Sequence, residues 1–311
     1  MRPMRPMRTL LLWAARDPRL KAWIPRRRFA QRAVRRFMPG ETLTDALAAA
    51  DLLAAAGNGI VFTRLGENVA TAAEADAVAE HYHEVLRAAA LRPRPPEISV
   101  KLTQLGLDQD PEAAYARALA LAHHAAEAGT WLWLDIEGSA YAQATVDLYA
   151  RLHAEAPRTG LCLQAYLHRT PADIARLLPG RPAIRLVKGA YDEPASIAWR
   201  DRAAVDSAYL GSALLLVQAA ARDGARVALG THDAELLRRL GLLMDAQGIA
   251  RSAAEVHMLY GIRADALAAL AREGWPTATL IAYGASWYPW YVRRLAERPA
   301  NVLFALRQLL P

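Results

Sequence analysis

The feature that most constrains the fold is a regular alternation of two kinds of segment, which begins near residue 57 and continues to the C-terminus. Short aliphatic and β-branched runs alternate with longer Ala- and Leu-rich stretches of helical period. The predicted strands are Ile60–Arg64, Ile98–Leu102, Trp131–Asp135, Leu161–Tyr166, Ile184–Val187, Arg226–Gly230, Val256–Leu259 and Ala278–Ala282. The predicted helices lie near residues 72–91, 111–128, 140–154, 171–178, 203–223, 233–247, 263–272 and 287–310.

Eight β–α units are the number that an α/β (βα)₈ TIM-like barrel requires, and 311 residues suffice to build one. The alternative is an open doubly wound sheet. It is disfavoured because residues 63–67, after the first strand, contain no Gly-rich GxGxxG turn. The chain therefore divides into a basic helical N-terminal extension, 1–56, and a catalytic barrel, 57–311. Within the extension, Thr42–Ala56 is expected to pack on the barrel.

Positive charge is concentrated at the N-terminus. Residues 1–40 contain twelve Arg or Lys and one acid, so the net charge of +7 conceals a charge of −4 on the remaining 271 residues. Such a segment suits an anionic membrane surface or nucleic acid, although two well-solvated helices explain it equally well. A nucleic-acid-binding protein is disfavoured, because the segment lacks interleaved aromatic residues and the body is not basic.

Other compositional features exclude several classes of protein. The single cysteine, Cys162, excludes an intramolecular disulfide and a multi-cysteine metal site, and the eight histidines form no paired-ligand motif, so no metal is expected. No run of about 18 uncharged apolar residues occurs, which predicts no transmembrane helix. The short apolar run 10–15 has no cleavage site after it, so a secretory signal is not expected.

Polar side chains follow almost every predicted strand, where a barrel of this kind builds its active site. They are Lys101, Asp135, Glu137, Gln164, Tyr166, Arg185, Lys188, Thr231, His232, Asp233, Tyr260 and Tyr283. With Arg293 and Arg294 on the last helix, cations outnumber the acids nearby, which predicts an anionic ligand: a carboxylate, a phosphate or both. The alternative for Lys101 or Arg185 is a buried ion pair with Asp135 that only fixes the barrel.

Seven segments, in order across roughly residues 60–305, resemble the proline dehydrogenases. They are Ile98–Leu102, Leu134–Glu137, Gln164–Leu167, Arg185–Tyr191, Thr231–Asp233, Met258–Arg263 and Trp287–Asn301. The resemblance is to the short, monofunctional bacterial enzymes, because no aldehyde dehydrogenase domain follows. Another flavin barrel, such as the related methylenetetrahydrofolate reductases, is disfavoured by the arginine pair near the C-terminus.

The resemblance implies non-covalently bound FAD at the C-terminal face of a distorted barrel. It also implies oxidation of L-proline to Δ1-pyrroline-5-carboxylate, the first step of proline catabolism. A hydride would pass from proline C5 to flavin N5, and electrons would go on to a membrane quinone. A cytoplasmic enzyme on the inner face of the membrane is therefore expected, with the basic extension as its contact.

The resemblance also implies roles for individual residues. The proline carboxylate would be bound by Lys101, Arg293 and Arg294. Arg185 would lie beside flavin N5, with Asp135 neutralising and orienting Lys101 or Arg185. Other cofactor contacts would come from Ile136, Gln164, Lys188, Gly189, Ala190, Thr231 and His232. Glu67 would gate the pocket.

Five positions depart from the family pattern: Gly138, Gly230, Leu280, Ala282 and Trp290. Leu280 stands where the family commonly has a tyrosine over the proline ring, and Trp290 stands where a tyrosine usually precedes the arginine pair. The pocket wall is therefore changed. A substituted proline or another cyclic amino acid remains an alternative substrate.

Overall fold

A computed structural model describes residues 17–24 and 27–297, and these residues form a closed barrel surrounded by helices. The strands are β1 Gly59–Arg64, β2 Glu97–Lys101, β3 Leu132–Asp135, β4 Thr159–Gln164, β5 Ala183–Val187, β6 Arg226–Gly230, β7 Glu255–Leu259 and β8 Thr277–Tyr283. The helices are α1 Pro18–Trp23, α2 Arg28–Val34, α3 Leu43–Ala55, α4 Ala72–Ala90, α5 Pro111–Glu127, α6 Ser139–Glu155, α7 Thr170–Leu177, α8 Arg202–Asp223, α9 Ala234–Ala246, α10 Ala264–Arg272 and α11 Trp287–Glu297.

The eight strands are parallel and pair in chain order, and β1 closes the barrel against β8. All eight predicted strands are confirmed, each within two residues at either end, and so is the (βα)₈ class. The predicted helices also agree with the structure. Of the last predicted helix, 287–310, residues 298–310 lie outside the described residues. Residues 1–16 and 25–26 of the basic segment, 1–40, likewise lie outside the described residues.

The side chains of each strand point alternately toward the helices and into the barrel. Outward-facing aliphatic residues such as Ile98, Leu134 and Leu186 pack under the helices in the main core. Inside the barrel, one large side chain, Trp133, is fully buried among small residues. A Cβ at Gly160 would lie 2.3 Å from the Trp133 ring, so that strand must carry glycine there.

A cluster of charged groups fills the N-terminal end of the barrel. Arg226 Nη2 donates to Glu97 at 2.6 Å, and Arg226 Nε donates to Glu255 at 2.7 Å. His257 Nε2 lies 3.1 Å from Glu255, and Trp133 Nε1 donates to Glu97 at 2.6 Å. Burial opposes ionisation of Glu255, but the hydrogen bonds from His257 and Arg226 outweigh it and hold its pKa well below the usual range.

Helices before the barrel complete its outer layer. Helix α3 packs against β1 and β8, and its Ala46 and Ala50 belong to the main core, as expected for residues 42–56. Helix α2 instead packs with α11 around the fully buried Trp287, whose Nε1 donates to Glu41 at 2.8 Å. These contacts place α11 beside the C-terminal ends of β1 and β8.

One helix of the described residues, α8, is long and apolar enough to cross a membrane by length and composition. It lies in the outer layer of the barrel, where it packs against β5 and β6. Its buried residues Tyr209, Ala213 and Leu216 belong to the main core. The sequence predicts this helix near residues 203–223, and its uncharged run, residues 207–221, is shorter than the run of about 18 residues expected of a transmembrane helix.

Candidate active site

A cavity of about 650 Å³ opens at the C-terminal ends of the strands. Its lining comes from β3 to β8 and from the loops that follow β5 and β6. The predicted site residues that line it are Asp135, Ile136, Gln164, Arg185, Lys188, Gly189, Ala190, Thr231, His232 and Leu280. The C-terminal ends of parallel strands meet at one face of a barrel, which is why residues far apart in sequence converge here.

Asp135 joins the two cations that the sequence offered as alternative partners. Its carboxylate accepts a short bond from Arg185 Nη2 and lies 3.5 Å from Lys101 Nζ. Ser99 Oγ donates to Asp135 at 2.8 Å and accepts from Arg185 at 2.6 Å. Burial opposes ionisation of Asp135, but the positive charges of Arg185 and Lys101 outweigh it and lower its pKa. Asp135 is therefore a fixed anion between two cations.

Arg185 is the most deeply buried charge at the cavity, with 3% of its side chain exposed. Its guanidinium lies 5.0 Å from the centre of the Trp133 ring, which supplies an aromatic face for the cation. Its Nη1 atom is buried and has no hydrogen-bond partner within the protein. Cys162 lies beside it, and burial raises the pKa of that thiol. The thiol is thus held neutral, while the two N–H groups of Arg185 Nη1 have no acceptor in the protein.

Gln164 lines the cavity and is hydrogen-bonded to Glu137, which is outside the described lining. Gln164 Nε2 donates to the Glu137 backbone carbonyl at 2.8 Å. The Glu137 carboxylate accepts from Thr103 Oγ1 at 2.7 Å, and its pKa is raised by burial. Glu67, in the loop after β1, is outside the cavity lining described here, but its charge also raises the pKa of Glu137. Its predicted gating role stays a prediction.

The turn after β5 approaches the neighbouring strand closely. Gly189 has φ +115°, and a Cβ there would lie 2.2 Å from the Tyr166 ring. Lys188, the preceding residue, donates to Asp206 at 2.5 Å and to Asp233 at 2.8 Å. Asp206 lies on α8 and was not identified from the sequence, because nothing local connects it with the strand end.

The segment after β6 is held by polar contacts. The Leu259 backbone N–H donates to His232 Nε2 at 3.0 Å, which places the hydrogen of a neutral ring on Nδ1. Thr231 Oγ1 accepts from the Asp233 backbone N–H at 3.2 Å. Asp233 also caps helix α9 by accepting from Leu236 N–H. The predicted residues Thr231 and His232 are therefore fixed at the cavity wall.

A loop between β5 and α8 supplies lining residues that the sequence reasoning missed. They are Asp192, Glu193, Ala198, Trp199 and Arg200, which follow Tyr191, the last residue of the matched segment Arg185–Tyr191. Glu193 accepts from the backbone N–H and the hydroxyl of Ser139, at 2.7 and 2.6 Å, at the start of α6. Trp199 N–H donates to the Tyr166 carbonyl at 2.8 Å. These anchors connect residues 54 and 33 positions apart, a pairing that no sequence pattern signals.

The predicted excess of positive charge is not found in the described lining. The described lining holds four carboxylates, of Asp135, Asp192, Glu193 and Asp233, against the three cations Arg185, Lys188 and Arg200. Asp206 on α8 adds a further partner for Lys188 that strand ends do not reveal. Arg293 and Arg294 lie on α11, but their side chains are outside the described residues. The described residues contain no group of three His, Cys, Asp or Glu suited to a metal ion.

The wall near Leu280 is aliphatic. Leu280 packs with the residues inside the barrel and lines the cavity. Tyr283 faces outward, because its hydroxyl lies 2.7 Å from His81 Nε2 on α4 and its ring packs edge-on to Phe62. Trp290 packs with the cluster between α2 and α11. Neither aromatic residue replaces a tyrosine at position 280.

Comparisons with known proteins agree on one family. The sequence profile described as proline dehydrogenase matches residues 46–307. Proline dehydrogenase 1 of Bacillus subtilis strain 168 is 33% identical over 276 residues, covering 89% of this chain and 90% of the relative. Proline dehydrogenase of Deinococcus radiodurans is 33% identical over 280 residues, covering 88% and 89%.

Solved structures share the fold. Proline utilization A from Bdellovibrio bacteriovorus superposes with a TM-score of 0.78 at 19% identity, over 93% of this chain and 38% of that one. Proline utilization A from Corynebacterium freiburgense superposes with a TM-score of 0.71 at 21% identity, over 100% of this chain and 35% of that one. This chain thus spans little more than a third of those longer proteins. The nucleic-acid-binding alternative has no support. By sequence over nearly its whole length, the chain belongs to the proline dehydrogenase family.

Proposed function

We propose that the protein oxidises L-proline to Δ1-pyrroline-5-carboxylate with FAD bound in the cavity at the C-terminal face. The observation that carries this proposal is the buried Arg185 guanidinium. It is paired with Asp135, it lines the cavity, and it keeps Nη1 without a protein partner. A buried donor of this kind is costly unless a ligand accepts from it.

The residues around the cavity fit the cofactor. A volume of about 650 Å³ is in the range of sites for large organic ligands. Ile136 and Leu280 offer apolar walls for a flat ring, and Gln164 lies beside them. Lys188 and the close backbone approach at Gly189 suit an anionic diphosphate at the other end. Thr231 and His232 add polar contacts along the same wall.

When bound, FAD supplies the ring nitrogen N5 that accepts the hydride from C5 of proline. The protein orients the substrate against the cofactor, excludes water from the cavity and places positive charge at the cavity wall. Arg185 would provide a fixed positive charge at the cavity wall, which would stabilise negative charge on a reduced ring bound there. Asp135 keeps that guanidinium in place, so no reorganisation is needed in the transition state.

Substrate binding is assigned to three cations. Lys101, held at 3.5 Å by Asp135, together with Arg293 and Arg294, binds the proline carboxylate. The proline amine must be neutral for hydride loss at C5. Positive charges nearby lower the pKa of that amine and favour the neutral form.

The test is whether L-proline, added under anaerobic conditions, reduces the flavin that is bound to the purified full-length protein. L-proline is expected to bleach the visible absorbance of the oxidised flavin. D-proline serves as the matched control, because its carboxylate is misplaced relative to C5. A protein that binds flavin but is bleached by neither L-proline nor a related cyclic amino acid contradicts the proposal.

A second candidate is relaxed selectivity for the ring, and the aliphatic wall at Leu280 favours it. Tyr283 is bonded to His81, and Trp290 packs elsewhere, so the space left by the missing tyrosine stays open. Leu280→Tyr is expected to raise the preference for L-proline over trans-4-hydroxy-L-proline and pipecolate about tenfold in kcat/KM. Leu242→Tyr, the same exchange at an exposed position on α9, is the control. Unchanged ratios in Leu280→Tyr show that this residue does not select the ring.

We further propose quinone as the electron acceptor, with the enzyme cytoplasmic and held at the inner membrane face by residues 1–40. The support is the charge of +11 in that segment, which anionic lipids attract by about 1 kcal/mol per basic residue near the surface. Sedimentation with anionic vesicles is expected to decrease with salt and to weaken when residues 1–16, which precede helix α1, are deleted. Equal pelleting by neutral and anionic vesicles contradicts it.

A further inference from the structure

Lys188 is one of four charged side chains that form a cluster at one end of the cavity. Lys188 Nζ donates to Asp206 at 2.5 Å and to Asp233 at 2.8 Å. Arg202 Nε lies 3.8 Å from Asp206, and Arg202 Nη2 lies 3.8 Å from Asp233. Three separate elements thus meet here: the turn after β5, the first turn of α8 and the N-cap of α9.

The geometry of this cluster fixes Lys188 without giving it surplus charge. An ammonium group has three N–H donors, and two of them are engaged by carboxylates. Tetrahedral geometry then fixes the direction of the third. Two cations and two carboxylates also cancel, so an anion that reaches Lys188 meets an oriented donor in a locally neutral setting.

The two carboxylates differ in what else they do. Asp233 caps helix α9 and accepts from Leu236 N–H, and its pKa is lowered because the bonds from Lys188 and Leu236 outweigh the effect of burial. A change at Asp233 would therefore also disturb the helix. Asp206, by contrast, lies within α8, where its side chain faces Lys188 and the largely exposed Arg202.

We propose that Asp206 is a positioning residue for the phosphate-binding end of the cavity, acting by holding the Lys188 ammonium toward the FAD diphosphate. This inference rests on the proposed function, since it takes FAD as the ligand. Without Asp206, the ammonium group keeps Asp233 as a carboxylate partner but loses the second one, so the long lysine side chain regains part of its rotamer freedom, and each binding event must order it again.

The test compares two substitutions that remove the same charge. Asp206→Asn keeps an oxygen that accepts from Lys188, whereas Asp206→Ala removes the acceptor. The full-length protein, freed of flavin, is titrated with FAD and with riboflavin, and binding is followed by flavin fluorescence. Asp245→Asn is the matched control, because it removes the carboxylate of an ion pair with Arg251 at the far end of α9.

Asp206→Asn is expected to bind FAD at least as tightly as the unsubstituted protein, because one negative charge is gone. Asp206→Ala is expected to bind FAD about tenfold more weakly than Asp206→Asn. Riboflavin, which has no phosphate, is expected not to distinguish the two variants. A merely structural role would lower the melting temperature of Asp206→Ala and weaken both ligands alike.

The ratio of the FAD dissociation constants of the Ala and Asn variants decides the inference. Equal constants, or a riboflavin ratio as large as the FAD ratio, overturn it. Absence of flavin binding by the unsubstituted protein and the Asp245→Asn control overturns the proposed function instead. The two failures are thus separate results.

Discussion

Replacing Asp135 with asparagine tests whether the buried charges at the cavity act as a unit. The substitution keeps the size of the side chain and removes the negative charge that Arg185 and Lys101 share. Arg185 has 3% of its side chain exposed, so it has no access to water that would compensate. The guanidinium becomes a buried charge without a counter-ion.

The magnitude follows from that burial. Removing one partner of a buried ion pair costs about 3–5 kcal/mol of unfolding free energy. For a chain of this size, about 2 °C per kcal/mol gives a decrease in melting temperature of roughly 6–10 °C. Asp147→Asn is the control: its partner Arg176 has 47% of its side chain exposed, and pairs of that kind contribute about 0–1 kcal/mol.

The pH dependence of the difference gives the sharper result. Folding lowers the pKa of Asp135 below its unfolded value, which is near 3.9 as a rough reference. A carboxyl of this kind contributes stability above the unfolded pKa, and the contribution is lost as the pH falls through the folded pKa. Denaturant unfolding of both proteins between neutral pH and acid is therefore expected to show a large difference at neutral pH that shrinks in acid.

Two outcomes refute this reasoning. A difference below about 1 kcal/mol at neutral pH means that Arg185 does not depend on Asp135. A difference that stays constant as the pH falls means that the ionised carboxylate is not its source, and that lost packing is.

Four further substitutions probe other parts of the site and the interior of the barrel. Arg293→Ala and Arg294→Ala are each expected to raise KM for proline by about 30-fold or more, equivalent to about 2–4 kcal/mol, and unchanged KM in both contradicts their assignment. Gly189→Ala is expected to weaken FAD binding about tenfold or more, because φ is +115° and the new Cβ meets an aromatic ring at 2.2 Å; fluorescence titration at wild-type affinity refutes this. Gly160→Ala, which forces a Cβ to 2.3 Å from Trp133, is expected to cost about 1–3 kcal/mol in denaturant unfolding, and an unchanged midpoint refutes it.

The sequence predicts the barrel well because the governing signals are local. Alternating apolar runs identify each strand, and parallel order places every strand end on one face. Asp135 and Arg185 are therefore found at the cavity from their positions alone, and Lys101, which is outside the described lining, contacts Asp135. Which of the two cations Asp135 serves is a question of distance, and the structure answers that it serves both.

The missed residues depend on contacts between distant elements. Asp206 lies on α8, and only the packing of that helix against β5 brings it to Lys188. Glu193 reaches the start of α6 across 54 positions. The count of charges at strand ends therefore predicted a cationic mouth, whereas helices and loops supply enough carboxylates to balance the described lining.

The placement of Trp133 explains how the barrel tolerates so many internal charges. Its ring lies 5.0 Å from the Arg185 guanidinium and 5.1 Å from that of Arg226. The first arginine belongs to the cavity and the second to the cluster at the N-terminal end, so one aromatic side chain separates two charged layers while contacting both. Each guanidinium gains an aromatic face and carboxylate partners in exchange for lost water. The charge presented to a ligand is consequently set by the folded barrel itself, before any ligand enters, which is the preorganisation that electrostatic catalysis requires.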